Sequence, residues 1–250
     1  MMFYWIISKK LYLCTMDRIK RDSKDLKIEI TADGSATLYV ESLDEHYHSV
    51  RGALAESNHI YRDCAFLHRT MQSFTPPLRL LEIGFGTGLN AVVTAMCVSD
   101  NNPVHYISIE KYPIDRSLLN SLGYSKFVDS SLFEDIHAAK WDQIVNLTDT
   151  FSLEKIQADF LETNLPQNID VVYFDAFAPE KQPEMWTLSA FQRLVSVLNP
   201  GAVLTTYCAK GEIRRLLASL GLAMERIPGP LGGKREILRG TLVSAGFPSL

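Results

Sequence analysis

The sequence predicts an α/β fold with a seven-stranded, mostly parallel sheet and helices on both of its faces. From residue 78 onward, short apolar runs alternate with segments of helical periodicity, as parallel strands joined by crossover helices require. A glycine-rich turn joins the first of these strands to a helix, and the last two strands flank a short loop, as an antiparallel pair would. The chain has 250 residues, 46% of them hydrophobic, which is enough for one sizeable domain.

A small N-terminal extension over residues 26–77 precedes this domain. Residues 26–30 and 36–40 alternate in polarity around Asp33 and Gly34, which predicts a β-hairpin. Apolar positions at near-helical spacing predict a helical segment from His46 to about Ser73. The extension is therefore expected to be a hairpin followed by a helix.

The first 25 residues are expected to be disordered or to lie before the native start of the protein. Their apolar run is too short to span a bilayer, and it has neither the charged beginning nor the cleavage site of a signal peptide. Met16 stands directly before a polar run and is a candidate for the native start.

The main domain is predicted over residues 78–250, with an insertion of helix and loop at residues 124–150. Helices are expected at 89–98, 114–122, 184–198 and 212–220. The seven strands are expected at residues 78–83, 104–109, 151–158, 169–174, 202–207, 223–227 and 236–243.

The glycine-rich turn after the first core strand predicts a site for a nucleotide-like ligand. Glycines at Gly84, Gly86 and Gly88 permit a sharp turn and a close approach to the backbone. A dinucleotide fingerprint would place its third glycine at position 89, which is Leu89. An acidic residue, Glu82, followed by an apolar residue and G-x-G-x-G, resembles the first strand of class I S-adenosyl-L-methionine (SAM) methyltransferases, so the fold is predicted to be Rossmann-like with SAM as cofactor.

Acidic residues at the ends of the next strands extend this predicted cofactor site. Glu110 ends the second core strand, where a carboxylate can accept hydrogen bonds from both ribose hydroxyls, and Lys111 follows it. Asp159 ends the third strand, where it can accept the adenine amino group while the ring of Phe160 flanks the base. A solvated glutamate at a strand end is the alternative for Glu110. Asn90, which follows the glycine-rich turn, is also assigned to the cofactor site.

Asp175 ends the fourth core strand and starts a loop bounded by Pro179 and Pro183. Ligands of open α/β sheets bind outside the carboxyl ends of the strands, so Asp175 is expected to face the same crevice as Gly84 and Glu110. The prolines stiffen a loop that can present side chains to a substrate. The alternative is an aspartate that only caps the next turn.

Four segments together resemble the MnmC-type methyltransferases, called MnmD when they stand alone. The resemblance covers about residues 26–243, and its most specific segment is the run of aspartate, aromatic residues, prolines and tryptophan. The segments are YHSVRGALAESNHIY at residues 47–61, EIGFGTGLN at 82–90, DAFAPEKQPEMW at 175–186 and GGKREILRG at 232–240.

The resemblance implies SAM-dependent methylation of the exocyclic amine of 5-aminomethyl-2-thiouridine at the tRNA wobble position. Bifunctional members carry an additional FAD-dependent oxidoreductase module that removes a carboxymethyl group. Because this chain stops at Leu250, it is expected to carry out methyl transfer only, with the amine supplied by another enzyme, to which a functional link is possible. Asp175 is then the expected catalytic acceptor that orients the amine, as well as a residue of the cofactor site.

The remaining site residues are expected to contact the substrate. Tyr47 and Glu56 match family positions near the cofactor and substrate, and Phe177 belongs to the loop after Asp175. The alternatives are ordinary packing for Tyr47 and a solvated helix face for Glu56. Basic residues are expected to contact tRNA phosphates, with a solvated face as their alternative: Lys234, Arg235, Arg239, Arg214 and Arg215.

Composition limits the other possibilities. A net charge of −4 argues against a wholly basic nucleic-acid binder but permits a local basic patch. The cysteines form no C-x-x-C pair, so neither a disulfide framework nor a zinc site is expected, and the protein is expected in a reducing cytoplasm. The clustered histidines have no regular metal spacing, so another metal site is not expected either. These residues are Cys14, Cys64, Cys97 and Cys208, and His46, His48, His59 and His68.

Two other functions fit the same pattern. A polyamine aminopropyltransferase shares the fold and also presents an aspartate to an amine, but it uses decarboxylated SAM. A non-catalytic SAM- or tRNA-binding module would keep the fold without turnover. The joint presence of Glu82, Glu110, Asp159 and Asp175 favours an enzyme over such a module.

Overall fold

The computed structural model describes residues 25–243 of the chain. The predictions for the start of the chain, including Met16 and Cys14, concern residues outside this range. Among the described residues, no helix is both long enough and apolar enough to cross a membrane.

The N-terminal extension is a small antiparallel sheet followed by one helix. Strands β1 (Leu26–Ile30) and β2 (Ala36–Val40) form the predicted hairpin, and β3 (Glu45–His46) adds to its edge. The helix α1 spans residues 53–70 and consists of Ala53–Glu56, a π-helical stretch at Ser57–Leu67, and His68–Thr70. It begins later than His46 because residues 45–46 pair with β2 and Gly52 has a positive φ of 143°, which is incompatible with a right-handed helix.

The main sheet has eight strands in the order β10-β11-β9-β8-β4-β5-β7-β6. The five strands from β9 to β7 are parallel, and β11 returns antiparallel between β9 and β10, which confirms the predicted fold class. The strands are β4 (Leu78–Ile83), β5 (Val104–Glu110), β6 (Ile144–Asn146), β7 (Phe151–Gln157), β8 (Ile169–Phe174), β9 (Leu198–Thr206), β10 (Leu222–Pro228) and β11 (Glu236–Leu242).

The eighth strand lies in the insertion that was predicted as helix and loop. Strand β6 pairs antiparallel with β7 over only three residues, from Ile144 opposite Glu154 to Asn146 opposite Ser152. So short a strand carries little periodicity of its own, because two or three alternating residues also occur in loops. Its position at the edge of the sheet depends on the partner strand.

Helices cover both faces of the sheet. One core cluster joins the sheet to α1, α2 (Leu89–Ala95) and α4 (Ser130–Ala138), and the other joins it to α5 (Leu188–Val195) and α6 (Gly211–Ser219). The predicted helix over 184–198 is divided at Thr187, whose extended backbone and side chain cap α5. The helices of the main domain are α2 (Leu89–Ala95), α3 (Arg116–Ser121), α4 (Ser130–Ala138), α5 (Leu188–Val195) and α6 (Gly211–Ser219), with 3₁₀ turns at Tyr124–Lys126 and Pro183–Trp186.

The burial of the central strands explains why their apolar runs could be predicted as strands from the sequence. Leu78 and Leu80 of β4 contribute to one core cluster, and Leu81 and Ile83 contribute to the other. A strand that is buried on both faces needs apolar residues at consecutive positions. All five parallel strands end at the same edge, where the glycine-rich turn and Asp175 lie.

Candidate functional site

A cavity of about 740 Å³ opens at the carboxyl ends of the parallel strands. Its wall contains residues of the N-terminal extension as well as of the main domain. Twelve of the residues predicted for the site line it: Tyr47, Glu56, Gly84, Gly86, Asn90, Glu110, Lys111, Asp159, Phe160, Asp175, Phe177 and Lys234.

Other parts of the chain pack closely against the glycine-rich turn. A Cβ at Gly84, where φ is +94°, would lie 2.7 Å from the backbone oxygen of Asp175. A Cβ at Gly86 would lie 2.9 Å from the ring of Tyr47. Gly88 is packed against His137 and does not line the cavity, so its conformation (φ +72°) serves the start of α2. The glycines thus bring the turn, the end of β8 and the N-terminal extension together.

Glu110 is a buried carboxylate on the cavity wall. Its Oε2 accepts a hydrogen bond from the backbone N of Gly86 at 3.1 Å, and its Oε1 accepts one from the backbone N of Tyr112 at 2.8 Å. Each oxygen has a second lone pair, so the carboxylate can still accept hydroxyl hydrogen bonds from a ligand. These contacts fix the orientation of the Glu110 carboxylate on the cavity wall.

Asp159 and Phe160 form the next part of the wall. Asp159 accepts from the Lys111 ammonium at 2.8 Å and from the backbone N of Leu161 at 2.8 Å. Phe160 is buried against Phe174, with ring centroids 6.2 Å apart. A carboxylate beside a fixed aromatic ring suits the amino group and the face of a purine.

Asp175 is held from two sides. Its Oδ1 accepts the Tyr61 hydroxyl at 2.6 Å, and its Oδ2 accepts Nδ2 of Asn90 at 2.8 Å. Burial raises the pKa of Asp175 to about 7, although both hydrogen bonds act in the opposite direction. The carboxylate therefore changes its charge near neutral pH, as a general base must.

Tyr61 is a site residue that the sequence did not single out. It is fully buried in α1, and its helical spacing gave it the appearance of an ordinary core residue. The only signal was its place at the end of the segment from Tyr47 to Tyr61 that resembles the family. Asn90, which was predicted for the cofactor site, lines the cavity and also donates to Asp175.

The N-terminal extension supplies the opposite wall. The rings of Tyr47 and Phe177 meet edge to face with centroids 5.3 Å apart. Glu56 is buried rather than on a solvated helix face, and its Oε2 accepts the backbone N of Ser49 at 2.7 Å. Burial also raises the pKa of Glu56.

Lys234 reaches into the cavity, whereas its neighbour Arg235 does not. The Lys234 Nζ lies 3.6 Å from the ring centroid of Tyr207, a second residue that the sequence did not single out. Arg235 lines a second groove together with Arg51, Ser49 and Lys234 itself. Lys234 therefore contributes to both the cavity and this groove, whereas Arg235 contributes to the groove alone.

Several predicted residues lie away from the cavity wall. Glu82 is completely buried and accepts the Ser108 hydroxyl at 2.7 Å, and burial raises its pKa to about 8. Arg239 pairs with Glu225 at 2.8 Å across β10 and β11. The predicted residues outside the cavity are Glu82, Gly88, Arg214, Arg215, Arg235 and Arg239.

Residues 135–243 match a family model described as S-adenosyl-L-methionine-dependent methyltransferase. The tRNA 5-methylaminomethyl-2-thiouridine biosynthesis bifunctional protein MnmC of Pseudomonas syringae is 33% identical over 214 residues, which are 79% of this chain and 32% of that protein. The protein of the same name from Leptospira interrogans is 30% identical over 225 residues, which are 85% of this chain and 35% of that protein. The chain thus spans about a third of the length of these curated relatives.

Two solved structures share the fold. The crystal structure of MNMC2 from Aquifex aeolicus aligns with a TM-score of 0.68 and 24% identity, covering 90% of this chain and 73% of that one. Spermidine synthase from Thermotoga maritima aligns with a TM-score of 0.55 and 14% identity, covering 87% of this chain and 68% of that one.

Proposed function

Because the chain belongs to the MnmC-type family of SAM-dependent methyltransferases, we propose that it methylates the aminomethyl group of a modified wobble uridine in tRNA. The substrate proposed is 5-aminomethyl-2-thiouridine, and the product is its N-methyl derivative. The single observation that carries the proposal is the position of Asp175, on the cavity wall at the end of β8 and opposite Glu56 and Tyr47.

The residues of the cavity fit SAM. Glu110 is proposed to accept the ribose hydroxyls, and Asp159 with Phe160 to hold the adenine. The close approach of the glycine-rich turn to Asp175 supports a proposed cradle that lies beside the proposed acceptor site. Glu82 lies behind the wall, whereas Asn90 lines the cavity and donates to Asp175.

Asp175 is proposed to orient the amine and to receive its proton. When bound, SAM supplies a methyl group on a sulfonium: the amine lone pair forms the new N–C bond while the S–C electron pair stays on sulfur. The nitrogen must be neutral to attack and becomes cationic afterwards, so a nearby carboxylate can take the released proton. Tyr61 and Asn90 hold the two oxygens of Asp175 in place for this step.

Incubation with labelled SAM and tRNA from cells that lack this methylation tests the proposal. Digestion and mass spectrometry should identify label in the N-methylated aminomethyl uridine. Absence of label from that nucleoside would reject the proposed substrate.

A thermal-melting comparison of SAM with decarboxylated SAM separates the aminopropyltransferase alternative. The proposed methyltransferase should be stabilised by SAM, because a ligand that binds only the native state raises its stability. Stabilisation by decarboxylated SAM alone would favour aminopropyl transfer. SAM binding without label in any tRNA would favour a non-catalytic module.

Replacing Glu110→Gln is expected to weaken SAM binding by roughly 10- to 100-fold, because hydrogen bonds to charged groups contribute about 1.5–3 kcal/mol. The amide also presents a donor toward the backbone N–H of Gly86 or Tyr112. Calorimetric titration measures the affinity. Glu154→Gln on neighbouring β7, outside the cavity, is the matched control, and equal affinities of the two variants would contradict the assignment.

Replacing Tyr61→Phe is expected to raise the pKa of Asp175 above its value of about 7, because the hydroxyl donates to the charged form. Since the ionised carboxylate is the acceptor, methyl transfer should then begin at a higher pH and should fall several-fold at pH 7. Rates across pH 6–9 measure the shift. Tyr124→Phe removes another buried hydroxyl, one that donates to the backbone oxygen of Ala36, and should leave the profile unshifted. Identical profiles for all three proteins would disprove a role for Tyr61.

A further inference from the structure

Lys234 is held inside the cavity by the loop that carries it. Residues 229–235 form a closed loop, in which the backbone N of Gly229 donates to the oxygen of Arg235 at 3.0 Å and that of Gly233 donates to Pro230 at 2.8 Å. Arg51 links the loop to the N-terminal extension, because its Nη1 donates to the backbone oxygens of Gly232 and Gly233 at 3.4 and 3.3 Å. The loop therefore sets the position of the lysine.

Tyr207 links the ammonium of Lys234 to the residue that follows Asp175. The ammonium lies 3.6 Å from the Tyr207 ring centroid, a distance typical of a cation–π contact. The Tyr207 hydroxyl donates to the backbone oxygen of Ala176 at 2.9 Å, which fixes the ring next to Asp175. The ammonium of Lys234 thus lies on the ring of Tyr207, a residue that lines the cavity.

Acidic groups surround this ammonium from three elements. Burial lowers the pKa of Lys234, and the neighbouring acidic groups partly counteract that effect. The titratable groups that face it are Glu45 of β3, Glu56 of α1, Asp175 after β8, and Tyr207 and Cys208 after β9.

In such a site the acceptor amine of the proposed reaction would tend to stay protonated and therefore unreactive. An aliphatic amine is mostly protonated near pH 7, and a protonated amine has no lone pair for attack. The buried carboxylates Glu56 and Asp175 would favour the protonated form further, because an opposite charge stabilises an ion. A fixed positive charge beside them has the opposite effect.

We propose that Lys234 is a specificity-determining residue whose ammonium offsets the carboxylates of the cavity, so that the acceptor amine binds in its neutral form. The inference rests on the proposed function. It replaces the expected phosphate contact of Lys234 with an electrostatic role inside the cavity, and it leaves Arg235 as the residue of this loop that can contact phosphate.

The pH dependence of kcat for tRNA methylation, measured with saturating SAM and tRNA so that it reports the bound complex, tests the inference in wild-type protein and three variants. Lys234→Met should move the acidic limb to higher pH by roughly one unit, because one nearby unit charge shifts a pKa by about that much. Both the amine and Asp175 lose the influence of a cation, and both pKa values therefore rise. Activity should fall about tenfold at pH 7 and recover toward wild type at pH 9.

The other two variants are matched controls. Lys234→Arg keeps the charge and should keep the wild-type midpoint. Arg235→Met removes a charge from the same loop outside the cavity and should weaken activity equally at every pH, with a lower dependence on salt.

Two outcomes would overturn the inference in different ways. An active wild-type enzyme whose Lys234→Met variant loses activity equally at all pH values, with a smaller salt dependence, would assign Lys234 to phosphate and leave the proposed function intact. A wild-type protein that methylates no tRNA at any pH would remove the proposed function and this inference together.

Discussion

Asp175→Asn is expected to lower the rate of methyl transfer by roughly 10²- to 10⁴-fold, the range for loss of a positioned acid or base. Asparagine keeps the shape of the side chain and can still accept the Tyr61 hydroxyl. Its NH₂ group would meet the donor of Asn90, but the Asn90 amide can turn, since its Oδ1 is buried without a hydrogen-bond partner among the described residues. The cavity should therefore keep its affinity for SAM while it loses the proton acceptor.

Single-turnover rates and calorimetric SAM titration measure the two effects separately. The wild-type rate should rise with pH through about 7 as Asp175 ionises, and this rise should be absent from the variant. Asp170→Asn is the matched control, because Asp170 lies on the same strand at the opposite end from the cavity and accepts hydrogen bonds from Arg79 and Asn199. It should destabilise the fold without changing the rate of folded enzyme. An Asp175→Asn variant within threefold of the wild-type rate would reject the mechanism.

Gly84→Ala is expected to reduce both stability and activity. The residue has φ of +94°, which costs an alanine about 1–2 kcal/mol, and its Cβ would lie 2.7 Å from the backbone oxygen of Asp175. Because that contact is with backbone, relief requires the end of β8 to move. We expect a total loss of about 2 kcal/mol or more in unfolding free energy, together with weaker SAM binding and slower transfer.

Gly123→Ala is the control that separates the backbone strain of a positive φ from the steric clash of an added Cβ. Gly123 has φ of +66°, and a Cβ there would meet nothing within 4 Å. Urea denaturation should show a loss of only about 1–2 kcal/mol for this control, and its catalytic rate should be unchanged. If Gly84→Ala were as stable and as active as Gly123→Ala, close packing of the turn against Asp175 would have no functional importance.

The elements with strong periodicity were predicted correctly from the sequence. The hairpin of β1 and β2, the central strands and their alternation with helices along the chain all follow from local pattern, because strands buried on both faces must be apolar throughout. The short strand β6 and the division at Thr187 were not predicted. Strand β6 depends on its pairing with β7, which is a contact with another element. The division at Thr187 is local, because the Thr187 side chain accepts the backbone N of Ala190 as a helix cap, and the helical pattern over residues 184–198 did not account for that cap.

The residues of the candidate site also differ in how far the sequence could predict their positions. Glu110, Asp159 and Asp175 could be predicted because the carboxyl ends of parallel strands meet at one edge. Glu82 also stands near a strand end, but its side chain turns into the core, where Ser108 holds it. One residue of difference along a strand reverses the face to which a side chain points.

The sequence by itself determined the fold class, the glycine-rich turn and the acidic strand ends, since these depend on local periodicity and on chain order. Only the tertiary structure brought Tyr61 to Asp175 and the Lys234 ammonium to the ring of Tyr207. These pairs are separated by 114 and 27 residues in the chain, respectively, and no local pattern records which side chains packing will join. The chemistry of a site depends on such distances and on burial, because both determine which charge each group carries.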